Sequence, residues 1–394
     1  MRNSEKRTKF VFMKILFLVY HGFSEVSGIS KKIHYQVKGL RENGHEVHLC
    51  YYDFSPEGHR CRYVDDQILT DYGTGKWAAI RQRTEYDSIL NYCLKTHIQF
   101  VYARSFHNAS PFLNRFFGKL RKAGIHSVIE IPTYPYESEY IGFPFSKRLG
   151  LHIDQLYRHQ LASMTDAIVT FSDEQEIFGK KTIRISNGVD FESIPLHHTI
   201  RNEENDVHLI GVAEVHPWHG FDRLIHGLGE YYAHIANADT GTKVYFHIVG
   251  DVGQTEMEGS RRVPGFKTYI DRYDLDDYVI FHGALFGDEL TDVFNRSTFA
   301  IGSLARHRSG ITHIKTLKNR EYATRGLPFI YSETDSDFDS QPYVLKAAPD
   351  ESPIDIREIL SFLDHFKMTS ADIRKTVEHL SWKVQMAKVL EAFT

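Results

Sequence analysis

The sequence predicts an α/β fold built as two doubly wound halves. Three observations carry that prediction. Apolar runs of strand length recur, at 14–20 and 208–213 for example, as expected of parallel strands buried on both faces. Each run is followed by a segment of helical periodicity, so strand and helix alternate. The alternation stops in the polar stretch SIPLHHTIRNEEND, 193–206, and then restarts.

In the first half, the run 14–20 leads through the loop HGFSEVSGIS to a helix over 31–43. Gly44 ends that helix, and 46–52 is the second strand. Gly28 lies at the carboxyl end of strand one, where open α/β sheets bind ligands. One glycine flanked by Ser27 and Ser30 is far from a dinucleotide fingerprint, which argues against nicotinamide binding. Residues 53–78 read as irregular. A helix over 79–95 precedes a strand at 100–103, and a helix over 111–123 carries Phe112, Leu113, Phe116, Phe117 and Leu120 at core spacing. A strand at 127–131 opens into PTYPYESEY, 132–140, a loop rich in binding chemistry. A helix over 148–164, a strand at 167–171, a short helix at 173–178 and a strand at 182–185 complete this half.

The second half repeats the pattern. Strands are expected at 208–213, 243–249, 279–282, 299–303 and 327–331, with helices over 222–234, 264–273 and 287–296 between them. Two tail helices follow, 353–366 and 370–394. The domains are therefore 1–12 as an extension, 13–192, 207–375, and a closing helix at 376–394 expected to pack back on the first domain.

Composition limits the function. The chain has 394 residues, 42% hydrophobic and 25% charged, and a net charge of −4, which offers no basic field for nucleic acid. The 23 histidines are scattered without metal-ligand spacing. Cys50, Cys61 and Cys93 form no disulfide framework, so reduced thiols and a cytoplasmic location are expected. No run reaches the roughly 20 apolar residues that cross a bilayer. The start, MRNSEKRTK followed by FVFMKILFLVY, imitates a signal peptide, but Lys14 interrupts the apolar run and no small-residue cleavage site follows.

One stretch concentrates unusual chemistry: SGITHIKTLKNREYATRGLPFIY, 309–331. Thr316 is placed to cap a helix, Leu317, Tyr322 and Ala323 form its apolar stripe, and Gly326 with Pro328 ends it. Lys315, Lys318 and Arg320 crowd the helix start, where the dipole already disfavours cations unless an anion joins them. Such a start reads as a phosphate site.

Several motifs, in order, resemble the GT-B fold and, within it, the retaining nucleotide-sugar glycosyltransferases called family four. They are SNGVD at 186–190, VAEVHPWHGFDRLI at 212–225, HIVGD at 247–251, VIFHGAL at 279–285, REYATRGLPFIYSETDSDF at 320–338 and SWKVQMAKVL at 381–390. The resemblance spans about residues 14–394 and implies two Rossmann-like domains facing a cleft. It implies sugar transfer from a nucleoside-diphosphate sugar to an acceptor hydroxyl with retention, in bacterial surface polysaccharide or glycan synthesis. No metal or other cofactor is implied. A glycan or lipid-linked acceptor is, and with it loose attachment to the inner face of a membrane. A GT-B binding protein without turnover and a sugar-nucleotide epimerase are the competing readings.

The resemblance also assigns residues. Glu321 matches the second of the family's two spaced glutamates, which binds the donor ribose. His313 stands in place of the first, and Glu214 and His219 stand where the family has the Arg and Lys of its diphosphate clamp. Lys318 is the expected substitute cation. Candidate catalytic residues are Lys318, Glu321 and His219, with Trp218 beside the last. Donor-binding candidates are Gly28, Lys315, Thr316, Leu317, His282 and Gly283. Arg104, Glu130, Tyr134 and Glu137 end strands on the acceptor side. The pair Asp335 and Asp337 has the form of a metal-binding Asp-X-Asp but reads better as a polar loop.

Overall fold

A computed structural model of the chain describes residues 12–24, 27–140, 144–198, 206–235, 241–259 and 264–393. Residues 1–11 of the expected extension and 199–205 of the polar stretch fall outside these. The chain divides into two units: one runs to Gly188 and regains Leu380–Thr394, and the other is Val189–His379. The first seam lies inside SNGVD, ahead of 193–206, because the second unit holds the residues that follow. Arg374 donates to the carbonyls of Phe191 (2.6 Å) and Ile194 (2.8 Å), and His197 N donates to Arg325 O (2.7 Å).

The first unit is a nine-stranded sheet. Its strands are β1 (Lys14–Leu18), β2 (Glu46–Phe54), β3 (Arg60–Val64), β4 (Gln67–Asp71), β5 (Phe100–Arg104), β6 (His126–Ile131), β7 (Ala167–Thr170), β8 (Glu176–Ile177) and β9 (Lys180–Arg184). They lie in the order β4-β3-β2-β1-β5-β6-β7-β9-β8, parallel from β2 to β9. Burial on both faces follows from the apolar runs: Ile15 and Phe17 of β1 enter one core, Leu16 and Leu18 the other.

Three expectations fail here for identifiable reasons. Residues 53–78 are not irregular, since β3 and β4 extend the sheet as an antiparallel hairpin turned at Asp65 and Asp66, both with positive φ. The strand was hidden by Arg62, which is fully buried and stacks on Tyr52 (4.0 Å to the ring centre). Residues 173–178 are not helical, because a Phe178–Gly179 turn, again with positive φ, folds β8 back on β9. The second tail helix, expected over 370–394, is not continuous either. Ser370–Thr376 stays in the second unit, tied by Tyr343 Oη and Thr376 Oγ1 at 2.9 Å, and a separate helix, Trp382–Leu390, joins the first.

That closing helix packs on the helix Gly28–Glu42. Asn43 Nδ2 donates to Lys383 O (2.8 Å), and Ser186 N donates to Gln385 Oε1 (2.8 Å). Trp382 is buried so close to Gly188 that a Cβ there would come within 2.4 Å of its ring.

The second unit is a six-stranded parallel sheet of β10 (Val207–Val212), β11 (Val244–Val249), β12 (Val279–Gly283), β13 (Phe299–Ile301), β14 (Phe329–Tyr331) and β15 (Val344–Lys346). Its core joins Leu209, Phe246, Ile248, Phe299 and Ile301 to Phe221, Leu224 and Leu228 of the helix Phe221–Ile235.

Removing the indole of the closing helix should empty a well-packed site. Trp382→Ala is expected to cost about 3–5 kcal/mol of first-unit stability. Urea unfolding followed by far-UV circular dichroism measures this, and an unchanged midpoint would show that the closing helix does not hold the first unit.

Candidate functional site

The second sheet runs β12-β11-β10-β13-β14-β15, so chain order reverses between β10 and β13. Ligands of open parallel sheets bind outside the carboxyl ends of the strands at such a reversal. Two loops meet there. After β10 the chain makes a single turn, Pro217–His219, and leaves it through Gly220 at φ 65°. The loop after β13 clasps that turn: Leu304 N donates to His219 O (2.9 Å) and Ala305 N to Trp218 O (3.2 Å). Gly220 permits both the left-handed conformation and the approach, since a Cβ would sit 2.8 Å from the Cβ of Ala305.

Around this clasp lie buried polar atoms without a partner. They are Lys318 Nζ, Arg306 Nε, Glu333 Oε2, Ser303 Oγ, Thr316 Oγ1 and Asn319 Oδ1. Buried polar groups in folded proteins are nearly always bonded, so a cluster of orphans at strand ends marks a place for something else. Lys318 is on the first turn of the helix Leu317–Arg325, with Nζ 5.9 Å from the centre of the Phe221 ring. Its pKa is lowered, chiefly by burial; Glu333 opposes the shift and Arg306 reinforces it. Burial raises the pKa of Glu333. Arg306 lies over Trp218, 5.7 Å from the ring centre, and Trp218 stacks on His216 at 4.4 Å. Thr316 does occupy the N-cap position, but it makes no capping bond, so its hydroxyl and the first-turn amides are left without a side-chain cap.

The expected basic cluster of Lys315, Lys318 and Arg320 is split. Arg320 is buried and structural. It donates to Asp335 (2.7 and 3.1 Å), to Thr316 O (3.0 Å) and to Asp337. The Asp-X-Asp pair is thereby closed by a guanidinium in the place a cation would take. Lys315 is half-buried just ahead of the helix. Leu317 is 41% exposed rather than part of the apolar stripe, which consists of Tyr322 and Ala323.

His219 reaches the cluster in a form the sequence did not predict. Its Nδ1 accepts from His216 N (3.0 Å), which leaves the ring hydrogen on Nε2. Burial first, then Lys318 and Arg306, drive its pKa far down, so it is a neutral donor and not a cation. Glu214 is an exposed carboxylate after β10. Glu321 is paired with Arg325, which donates to its Oε1 at 2.9 and 3.0 Å. His313 is exposed beside Thr312. His282 is held in a row across the sheet: its Nε2 meets His247 Nδ1 at 2.9 Å, and His247 Nε2 meets His208 Nδ1 at 2.8 Å. Gly283 ends β12 with positive φ, and its carbonyl accepts from Gly250 N (2.7 Å).

In the first unit the candidates separate into structural and open groups. Glu130 is fully buried with Tyr102 Oη (2.6 Å), Gln36 Nε2 (2.6 Å), Arg104 and Lys32 around it. Burial, the largest influence, would raise its pKa, but Arg104, Lys32 and the bonds from Tyr102 and Gln36 together hold it down. Both Glu130 and Arg104 therefore serve the fold and are not free for an acceptor. Glu137 pairs with Arg158 (2.7 Å), and Tyr134 packs against Phe178. Gly28 is the first residue of its helix, and a Cβ there would meet open space, so close approach does not demand glycine. The sequence reading passed over His107, after β5. It has φ 50°, its ring stacks on Tyr136 at 3.8 Å, and its Nε2 is buried without a partner. It also passed over Arg306, Ser303 and Glu333, whose only signal was their place just after β13 and β14.

No family model matches the sequence, and no curated protein matches it. Solved structures match along the whole chain. Sucrose-phosphate synthase from Thermosynechococcus elongatus covers 97% of this chain and 98% of its own, with TM-score 0.61 and 12% identity. The catalytic domain of starch synthase IV from Arabidopsis thaliana, bound to ADP and acarbose, covers 97% and 99%, with TM-score 0.56 and 11% identity. A putative UDP-N-acetylglucosamine 2-epimerase from Listeria monocytogenes covers 97% and 96%, with TM-score 0.53 and 10% identity. These likenesses give the fold, which is GT-B with two Rossmann-like domains, as the sequence led us to expect.

An unpartnered buried amine opposes folding. Lys318→Met, which keeps the stem and deletes the amine, should stabilise the ligand-free protein by about 1–3 kcal/mol. Chemical denaturation without nucleotide measures this, and a loss of stability would assign Lys318 to the fold instead of to a ligand.

Proposed function

We propose that the protein transfers a sugar from a nucleoside-diphosphate sugar to an acceptor hydroxyl. The observation that carries this reading is the uncompensated Lys318 amine beside Arg306 at the switch point of the second sheet. A departing diphosphate accumulates negative charge, and fixed cations and amides aimed at it supply the main electrostatic help. Lys318, Arg306 and the first-turn amides of the helix Leu317–Arg325 would hold that diphosphate, with His219 Nε2–H and the Thr316 hydroxyl as neutral donors. Lys315 and Leu317 flank the same turn. This set replaces the Arg and Lys that the family-four pattern places at Glu214 and His219. Arg320 closes the Asp-X-Asp pair, and the family resemblance implies transfer without a metal.

Glu321 has Oε2 free to accept from a ribose hydroxyl while Arg325 orients the carboxylate. Gly283 and His282, at the end of β12, belong to the donor side, and Gly28 to the loop after β1. Retention of configuration, with the leaving phosphate helping to deprotonate the acceptor, follows from the family resemblance. So do a role in surface polysaccharide or glycan synthesis and work at the inner face of a membrane on a lipid-linked acceptor. No helix among the described residues is long and apolar enough to cross that membrane. Tyr134, Glu137 and the overlooked His107 are the acceptor-side residues with polar atoms near strand ends. Epimerisation of a nucleotide sugar is the second reading, favoured by the whole-chain likeness to the Listeria protein.

One assay separates these readings. The protein is incubated with a panel of nucleotide sugars, with and without a lipid-linked glycan, and free nucleoside diphosphate is measured. Release that depends on acceptor is expected. An epimerised sugar nucleotide would support the second reading, and neither product would leave a binding protein. In the same system Lys318→Ala should weaken nucleoside diphosphate binding about ten- to a hundredfold, the value of a charge-assisted hydrogen bond. Unaltered affinity would remove Lys318 from the site.

A further inference from the structure

Lys318 and Glu333 lie close enough in the switch-point cluster for each to act on the other's charge, yet no ion pair joins them among the described residues. Nζ of the lysine and Oε2 of the glutamate are both shut from solvent and both unbonded. The other carboxylate oxygen, Oε1, accepts from Asn319 Nδ2 at 3.3 Å. Two opposite charges buried without contact cost several kcal/mol each in lost hydration and recover little of it. The lower-energy empty state is an amine beside a carboxylic acid. Burial acts in that direction on both groups, lowering the lysine pKa and raising that of the glutamate.

The surroundings sharpen the imbalance. From the loop after β13, Arg306 contributes a permanent positive charge near both groups. From the turn after β10, His219 is neutral and His216 lies next to it. From the helix Phe221–Ile235 comes only the Phe221 ring. Beyond β14, Asp335 is already neutralised by Arg320, and Lys346 is engaged by Asp339 and by the Glu333 carbonyl. Asp335 adds to the upward push on Glu333, and among the described residues no other charged side chain is bonded to the amine or the carboxyl group of the pair.

We infer that a nucleoside diphosphate entering this site draws one proton from solvent into the Lys318–Glu333 pair. Resting on the proposed function, this adds that donor binding is proton-linked. Charge balances as follows. The empty pair holds one exchangeable proton, as amine and acid or as ammonium and carboxylate, and is neutral either way. A bound diphosphate favours an ammonium that donates to it and a carboxylic acid that does not repel it. That state holds one proton more, taken from the buffer, and only an N–H or O–H bond forms. Because the bound state carries the extra proton, affinity falls as pH rises, by up to about tenfold per pH unit.

Calorimetric titration of the whole protein with UDP, GDP and ADP tests this. It is run at about pH 8, where the diphosphate is itself ionised, in Tris and in HEPES, whose ionisation enthalpies differ. The difference in apparent enthalpy should report uptake of about one proton per nucleotide bound. The double variant Lys318→Arg/Glu333→Gln fixes the charges of the bound state, so it should bind with no uptake and with affinity flat in pH. Nucleotide binding without uptake, or uptake undiminished in the double variant, would overturn the inference and leave the proposed function standing. If no nucleotide binds the wild-type protein, the proposed function fails and this inference with it. Should the double variant not fold, the pH dependence of the wild-type dissociation constant supplies the proton count, and a flat profile overturns the inference.

Discussion

The carboxyl end of the second sheet depends on one buried guanidinium. Arg320 is held by both oxygens of Asp335, by Asp337 and by the carbonyl of Thr316, so it ties the first turn of its helix to the loop after β14. Residues two apart on a helix project about 200° from each other. Anchoring Arg320 on one side therefore turns Lys318 to the opposite side, toward Arg306 and Glu333. A fully satisfied ion network thus places an unsatisfied amine, and the two neighbouring cations play opposite parts although the sequence shows them alike.

Much of this was legible in the sequence and some was not, for physical reasons. Parallel strands buried on both faces appear as unbroken apolar runs, which is why β1, β5, β10 and β11 could be read directly. The β3–β4 hairpin escaped because its core contribution includes Arg62, whose charge is accommodated by aromatic rings and by Tyr72 Oη (3.2 Å). The β8–β9 hairpin escaped because Phe178 adopts a positive φ that a bulky residue seldom takes. Lys318 was found because a cation at a helix start contradicts the dipole. Glu333 was not, since a carboxylate in a polar run after a strand contradicts nothing until its burial is known.

The departures from the family-four pattern take on a consistent sense once the loops are placed. Where the pattern has an Arg after the first strand of this domain, Glu214 points into solvent. Where it has a Lys, His219 is neutral and partnered by a backbone amide. Positive charge is instead supplied from the other side of the switch point, by Arg306 after β13 and Lys318 on the following helix. The clasp between Trp218, His219 and the 304–305 amides holds the two loops together at the switch point.

Burial alone does not separate a structural polar residue from one kept for a ligand. Glu130 and Glu333 are both buried glutamates at the carboxyl ends of parallel strands, and their surroundings differ in one respect. Glu130 has two cations, a phenol and an amide around it, and its pKa is held below the ordinary range. Glu333 keeps one oxygen unbonded, the Lys318 amine of the same cluster is also unbonded, and burial drives the Glu333 pKa up. The first arrangement is complete without any further molecule, and adding an anion there would disturb it. The second is unfavourable while empty and improves when a negative group enters between the cations. A fold tolerates such a deficit where the missing partner arrives from solution, and here the deficit sits at the reversal between β10 and β13, where an α/β sheet receives its ligand.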